Sequence, residues 1–118
     1  MKTISTLFTI ALSILSTHLF AQDKQDDIIG IWQTQEAQVE IYKVDDRFIG
    51  NPINPEGERN TEIEVLNLKY ENGQWVGKIY SKKRGSLLDV TCQVEGDKLL
   101  LEVTPRFVSA NLEWTKVN

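Results

Sequence analysis

Leu66-Asn67-Leu68-Lys69-Tyr70-Glu71-Asn72-Gly73-Gln74-Trp75-Val76-Gly77-Lys78-Ile79-Tyr80 is the stretch on which the reading of this chain turns. At its centre, Asn72-Gly73 supplies the two residue types that best tolerate positive φ. A primed two-residue turn demands positive φ at both of its central positions. On either side the residues alternate in character with a period of two, the signature of a strand with one buried face. The stretch therefore predicts a β-hairpin between a fourth strand, Glu62 to Tyr70, and a fifth, Gln74 to Tyr80. The fourth strand changes phase: Ile63 and Val65 fall on one face, Leu66, Leu68 and Tyr70 on the other. A bulge or sharp bend near Val65 would reconcile them, as a curved sheet requires.

The same period extends in both directions, with turn residues every eight to twelve positions. Upstream, Ile31 to Thr34 opens a first strand, Gln38 to Val44 forms a second, and Asp45-Asp46 turns into a short third, Arg47 to Gly50. Asn51 to Gly57 holds two prolines and reads as the start of the longest irregular segment, running to about Thr61. Downstream, Lys83 to Ser86 reverses the chain into an alternating sixth strand carrying Leu88, Val90, Cys92 and Val94. Gly96-Asp97 leads to a seventh with Leu99, Leu101 and Val103 on one face. After Thr104-Pro105 a last strand runs from Ala110 to Val117, with Leu112 and Trp114 inward. No long helix is predicted. Eight short antiparallel strands must hide their edges, so the predicted fold is all-β, a small antiparallel up-and-down barrel of about eight strands. A two-layer β-sandwich is the alternative.

The chain has 118 residues, one Cys, one His and a net charge of −4, the composition of a single domain. Its start reads as an export signal: Met1-Lys2, an apolar run from Leu7 to Leu15, then Leu19-Phe20-Ala21 before polar Gln22-Asp23-Lys24. The run is too short and too often interrupted for a membrane span. The expected organisation is a cleaved signal peptide over 1–21, an N-terminal segment over 22–29 and one barrel domain over 30–118. No cysteine follows the apolar run to carry a lipid. The mature protein is expected to be periplasmic or secreted and monomeric, without a membrane span.

Cleavage removes chemistry as well. The only histidine, His18, leaves with the signal, so neither a Ser-His-Asp or Cys-His nucleophile nor a histidine zinc site can be assembled. Lys2 leaves too, so 12 of the 13 basic residues face all 17 acidic ones, a net charge of −5. An acidic domain is a poor partner for nucleic acid. One basic run, Lys82-Lys83-Arg84, stands at a hairpin tip. Glu40, Glu62, Glu64, Asp89, Glu102 and Glu113 fall on the polar phase of their strands, against a carboxylate-based hydrolase. The ligand spacing of calcium loops is missing around Asp26-Asp27 and Asp45-Asp46. Cys92 shares the phase of Val90 and Val94 and is expected to serve as a small core residue. No metal, cofactor or catalytic residue is expected. Trp32 and Trp114, on the strands that would meet at closure, read as a seal. Trp75, Tyr80, Phe48 and Tyr42 are the candidates for a ligand-binding set.

Gly30-Ile31-Trp32, Val39-Glu40-Ile41-Tyr42-Lys43, Phe48-Ile49-Gly50, Gly77-Lys78-Ile79-Tyr80, Gly96-Asp97-Lys98-Leu99 and Leu112-Glu113-Trp114-Thr115-Lys116-Val117 form a series. With Gly85 and Cys92, it resembles the domain-of-unknown-function 2147 family of small exported bacterial proteins. The resemblance runs over nearly the whole mature chain and implies a lipocalin-like barrel without an assigned activity. The opening Gly-x-Trp is also similar to that of lipocalins. Ser81-Lys82 and Gly85-Ser86-Leu87-Leu88 depart from the family's Asp-Pro turn and following Gly-Lys-Thr-Tyr stretch, so no tyrosine-based pocket carries over.

Two functional expectations follow. One is a non-catalytic exported barrel binding a small apolar or amphipathic ligand, favoured by the number of aromatic residues. The other is an envelope interaction or inhibitor-like module that recognises a protein or cell-wall component through its loops.

Overall fold

A computed structural model describes residues 24–104 and 110–117. The proposed signal peptide lies outside the described residues. Eight strands follow a single 3-10 turn, η1 (Gln25–Ile28): β1 (Gly30–Gln33), β2 (Gln38–Val44), β3 (Arg47–Ile53), β4 (Leu66–Glu71), β5 (Gln74–Ser81), β6 (Ser86–Glu95), β7 (Lys98–Thr104) and β8 (Ala110–Val117). Each pairs antiparallel with its sequence neighbours, and β1 pairs with β8, so the sheet is a closed up-and-down barrel. Closure, not a second layer, removes the edges.

Turns alternate between two ends. The β2–β3, β4–β5 and β6–β7 turns share one end with η1. Asn72 and Gly73 both adopt positive φ, 53° and 83°, and Tyr70 pairs with Trp75 and Glu71 with Gln74 across them. The β1–β2, β3–β4 and β5–β6 connections stand at the opposite end. The side chain of Thr34 organises the first of these, accepting from the amides of Glu36 and Ala37 at 3.1 and 3.0 Å.

Two boundaries differ from the sequence expectation. Strand β3 does not stop at Gly50; it continues through Pro52 to Ile53, pairing Pro52 with Val39 and Ile53 with Gln38. The proline is tolerated because β4 pairs with β3 only as far as Gly50, leaving the other side of Pro52 free of a ladder. Conversely, 62–65 is not strand, and β4 begins at Leu66. The phase change at Val65 marks the place where the chain joins the wall. The Val65 amide donates to the Gly50 carbonyl and its carbonyl accepts from the Tyr80 amide, each at 2.8 Å.

The inward faces form one contiguous core. Trp32, Ile41, Phe48, Leu66, Leu68, Cys92 and Leu99 have no exposed surface, and Leu101, Val90, Val39, Trp75 and Trp114 are nearly as deep. Ile28, before the first strand, belongs to the same core. It is carried there by η1, which closes its end of the barrel. The indole of Trp32 donates to the Ile28 carbonyl at 2.9 Å, and that of Trp75 to the Gln25 carbonyl at 3.1 Å. Two lysines ring the same end, Lys43 over the Phe48 ring and Lys116 over the Trp32 ring, each 5.5 Å from the centroid. Their stems cover aromatic surface while their ammonium groups reach water.

Candidate functional site

Opposite the end that η1 closes, the described residues shape a depression at the barrel rim. There a cleft of about 900 Å³ is lined by the β1–β2 turn, Val39, Pro52, the 62–65 segment, the end of β5 with its turn, and Leu112 and Trp114 of β8. Its volume falls within the usual range for small-molecule sites, about 300–1,000 Å³. The lining is mostly apolar: Ala37, Val39, Ile63, Val65, Ile79, Leu112 and Trp114. Charge stands at the border, with Glu36, Glu62 and Glu64 from two connections and Lys82 and Lys83 from a third.

Among the described residues five large apolar side chains are exposed: Val44, Ile63, Tyr80, Leu87 and Leu112. Three of them, Ile63, Tyr80 and Leu112, border this cleft. A small domain has every reason to bury such groups, so their convergence on one opening is the strongest sign of a binding surface in the molecule. Other depressions lie on the outer wall. One of about 590 Å³ spans β5 to β8 and is lined chiefly by polar residues such as Gln74, Thr91, Gln93, Glu102 and Asn111.

Of the four aromatic residues that the sequence nominates, the structure brings only Tyr80 to the cleft. Phe48 is fully enclosed in the core. Trp75 packs against Tyr70, ring centroids 5.0 Å apart, and bonds to η1 at the stoppered end. Tyr42 lies on the outer wall, where its hydroxyl donates to Asn51 Oδ1 at 2.6 Å. The guanidinium of Arg59 covers its ring at 3.8 Å. Turn counting carries the missing signal. Phe48 and Trp75 each follow a tight turn by two residues and so fall at the turn end. Ile63, Leu112 and Trp114 become visible as cleft residues only once the ends of the barrel are told apart.

The outer wall is held by one buried polar side chain. Asn51, 1% exposed, accepts from Tyr42 and donates through Nδ2 to the Ile63 carbonyl at 2.7 Å. Arg59 lies 3.9 Å from Glu40. Together these contacts strap the 54–65 segment across β2 and β3 and so set one wall of the cleft.

Among the described residues no group of three or more His, Cys, Asp or Glu converges. Cys92 is buried between Trp75 and Leu101 in the ladder, and desolvation pushes its thiol up to about 12. Held neutral by burial, that thiol is a poor nucleophile near neutral pH. The cleft therefore offers apolar contact and border charge. Comparison with known proteins finds no matching family model, curated protein or solved structure.

Proposed function

We propose that the protein is an exported, non-catalytic barrel that binds a small apolar or amphipathic ligand in its open end. The observation that carries this reading is the mostly apolar 900 Å³ cleft with Ile63, Tyr80 and Leu112 left exposed around it. The apolar run at 7–15 and the likeness to the domain-of-unknown-function 2147 family support export. Core side chains run the length of the barrel, with Val39 and Ile79 forming the floor of the cleft, so the ligand sits in the mouth and is partly exposed, unlike cargo swallowed by a roomy barrel.

Native mass spectrometry of protein recovered from the extracytoplasmic fraction of its own cells tests this directly. The expected result is a monomer carrying a small molecule, and the Leu112→Lys variant should lose that molecule while keeping the wild-type unfolding midpoint. In parallel, a fluorescent fatty acyl probe should bind the emptied protein and be excluded by the same substitution. A ligand-free monomer that fails to bind the probe and instead captures one envelope protein would overturn the reading in favour of an interaction module.

A further inference from the structure

The basic run Lys82-Lys83-Arg84 has no role in the core or in the strap. It occupies the tip of the β5–β6 hairpin, where the Gly85 amide donates to the Ser81 carbonyl at 2.7 Å and closes the turn. All three side chains are exposed, and among the described residues none has a carboxylate within salt-bridge distance; the ion pairs formed use Arg59, Lys69 and Lys78. Immediately below the tip, Tyr80 and Leu87 face each other across the two strands. Ile79 points into the core, so this pair lies on the outer wall, 41% and 61% exposed. Among the described residues Leu87 is thus the most exposed large apolar side chain, and it is paired with an aromatic ring under three consecutive cations.

The geometry points to this hairpin tip as a membrane-docking element that seats on an anionic lipid surface. Tyr80 and Leu87 would enter the headgroup boundary, where an aromatic ring with a polar tip is at home. The lysine and arginine stems would lie along the same boundary with their charges among lipid phosphates. Charge complementarity selects the partner: the chain is acidic overall, so a local cluster of three unpaired cations is what an anionic surface would find. Among the described residues no neighbouring acid is within salt-bridge distance of it. Asp89 is bonded to Lys78, and Glu36, Glu62 and Glu64, which share the cleft border with Lys82 and Lys83, are the opposing charges nearby. Lys82 and Lys83 also border the cleft, so docking would bring the open end of the barrel to the bilayer.

Vesicle co-sedimentation tests the proposal on the protein purified from an exporting host, its N-terminus fixed by mass spectrometry. Phosphatidylcholine vesicles containing about a third phosphatidylglycerol should bind it and pure phosphatidylcholine vesicles should not. Binding should fade as salt rises to about 0.5 M, where exposed charges are screened. The triple variant Lys82→Ser, Lys83→Ser, Arg84→Ser should partition on the order of 100-fold more weakly, from about fivefold per basic residue. Leu87→Ser should also weaken binding, and Glu62→Gln should strengthen it. These positions are exposed, and circular dichroism of each variant verifies its fold. Equal binding to both vesicle types, or a triple variant that binds like the wild type, would overturn the proposal, as would no binding to anionic vesicles. The ligand reading fails separately: loss of the acyl probe with vesicle binding intact would leave the docking element standing.

Discussion

Cys92 shows how much one buried atom can report. Its thiol stays neutral in the folded barrel until about pH 12, because desolvation penalises the thiolate, whereas a solvated thiol ionises around 9.0. Below pH 9 both states hold the proton and the thiol's contribution to stability is fully present. Between pH 9 and pH 12 the unfolded chain ionises while the folded one does not, so stability falls as pH rises, by at most about 1.4 kcal/mol per unit. Chemical denaturation at pH 8 and pH 10.5 should show a smaller loss for Cys92→Ala than for the wild type. Parallel losses in the two proteins would refute the assignment. The same burial predicts slow alkylation by thiol reagents under native conditions.

At the scale of the element, two strands owe their course to single residues. Gly77 pairs with Leu68 in the β4–β5 hairpin, where the neighbouring backbone comes so close that a Cβ would sit 2.0 Å from the Asn67 carbonyl oxygen. That obstacle is backbone and cannot swing away. Gly77→Ala should therefore cost about 3 kcal/mol, at the upper end of overpacking losses, measured as a shift in the denaturation midpoint. Asn51 plays the corresponding part for the strap. Asn51→Ala strips the Ile63 carbonyl and the Tyr42 hydroxyl of their partner, and the loss should be about 2 kcal/mol. Hydrogen exchange should then quicken at the amides of Asn60 and Val65, which bond to β3, and leave β6–β7 unchanged. Equal acceleration in both regions would mean that the strap is not a local unit.

For the whole molecule, legibility in the sequence followed the range of the interaction. Asn72-Gly73, Gly96-Asp97 and the alternation from Leu88 to Val94 are local signals, and the hairpins they predict are present at the predicted positions. Strand order followed because a meander needs no long-range information beyond closure. What could not be read depended on contacts distant in sequence. Pro52 stays in a strand only because the β4 ladder stops short of it, at Gly50, and Trp75 takes its partner from Gln25, fifty residues away. The cleft was obscured for the same reason. Its wall is assembled from six separate elements, and hydrophobicity alone did not separate the aromatic residues at the stoppered end from the apolar ones at the mouth.

The pairing of β1 with β8, Ile31 beside Val117, has a consequence for the order in which the barrel is made. A chain emerging N-terminus first presents β1 early, yet its second partner is the last strand synthesised. Every neighbouring hairpin can form locally, but the seam closes across nearly the full length of the domain, the costliest kind of contact to search for. Until β8 arrives, the outer edges of β1 and β7 are open ladders, able to accept a strand from any other chain. Solubility during biogenesis thus rests on the final eight residues of the barrel wall, Ala110 to Val117.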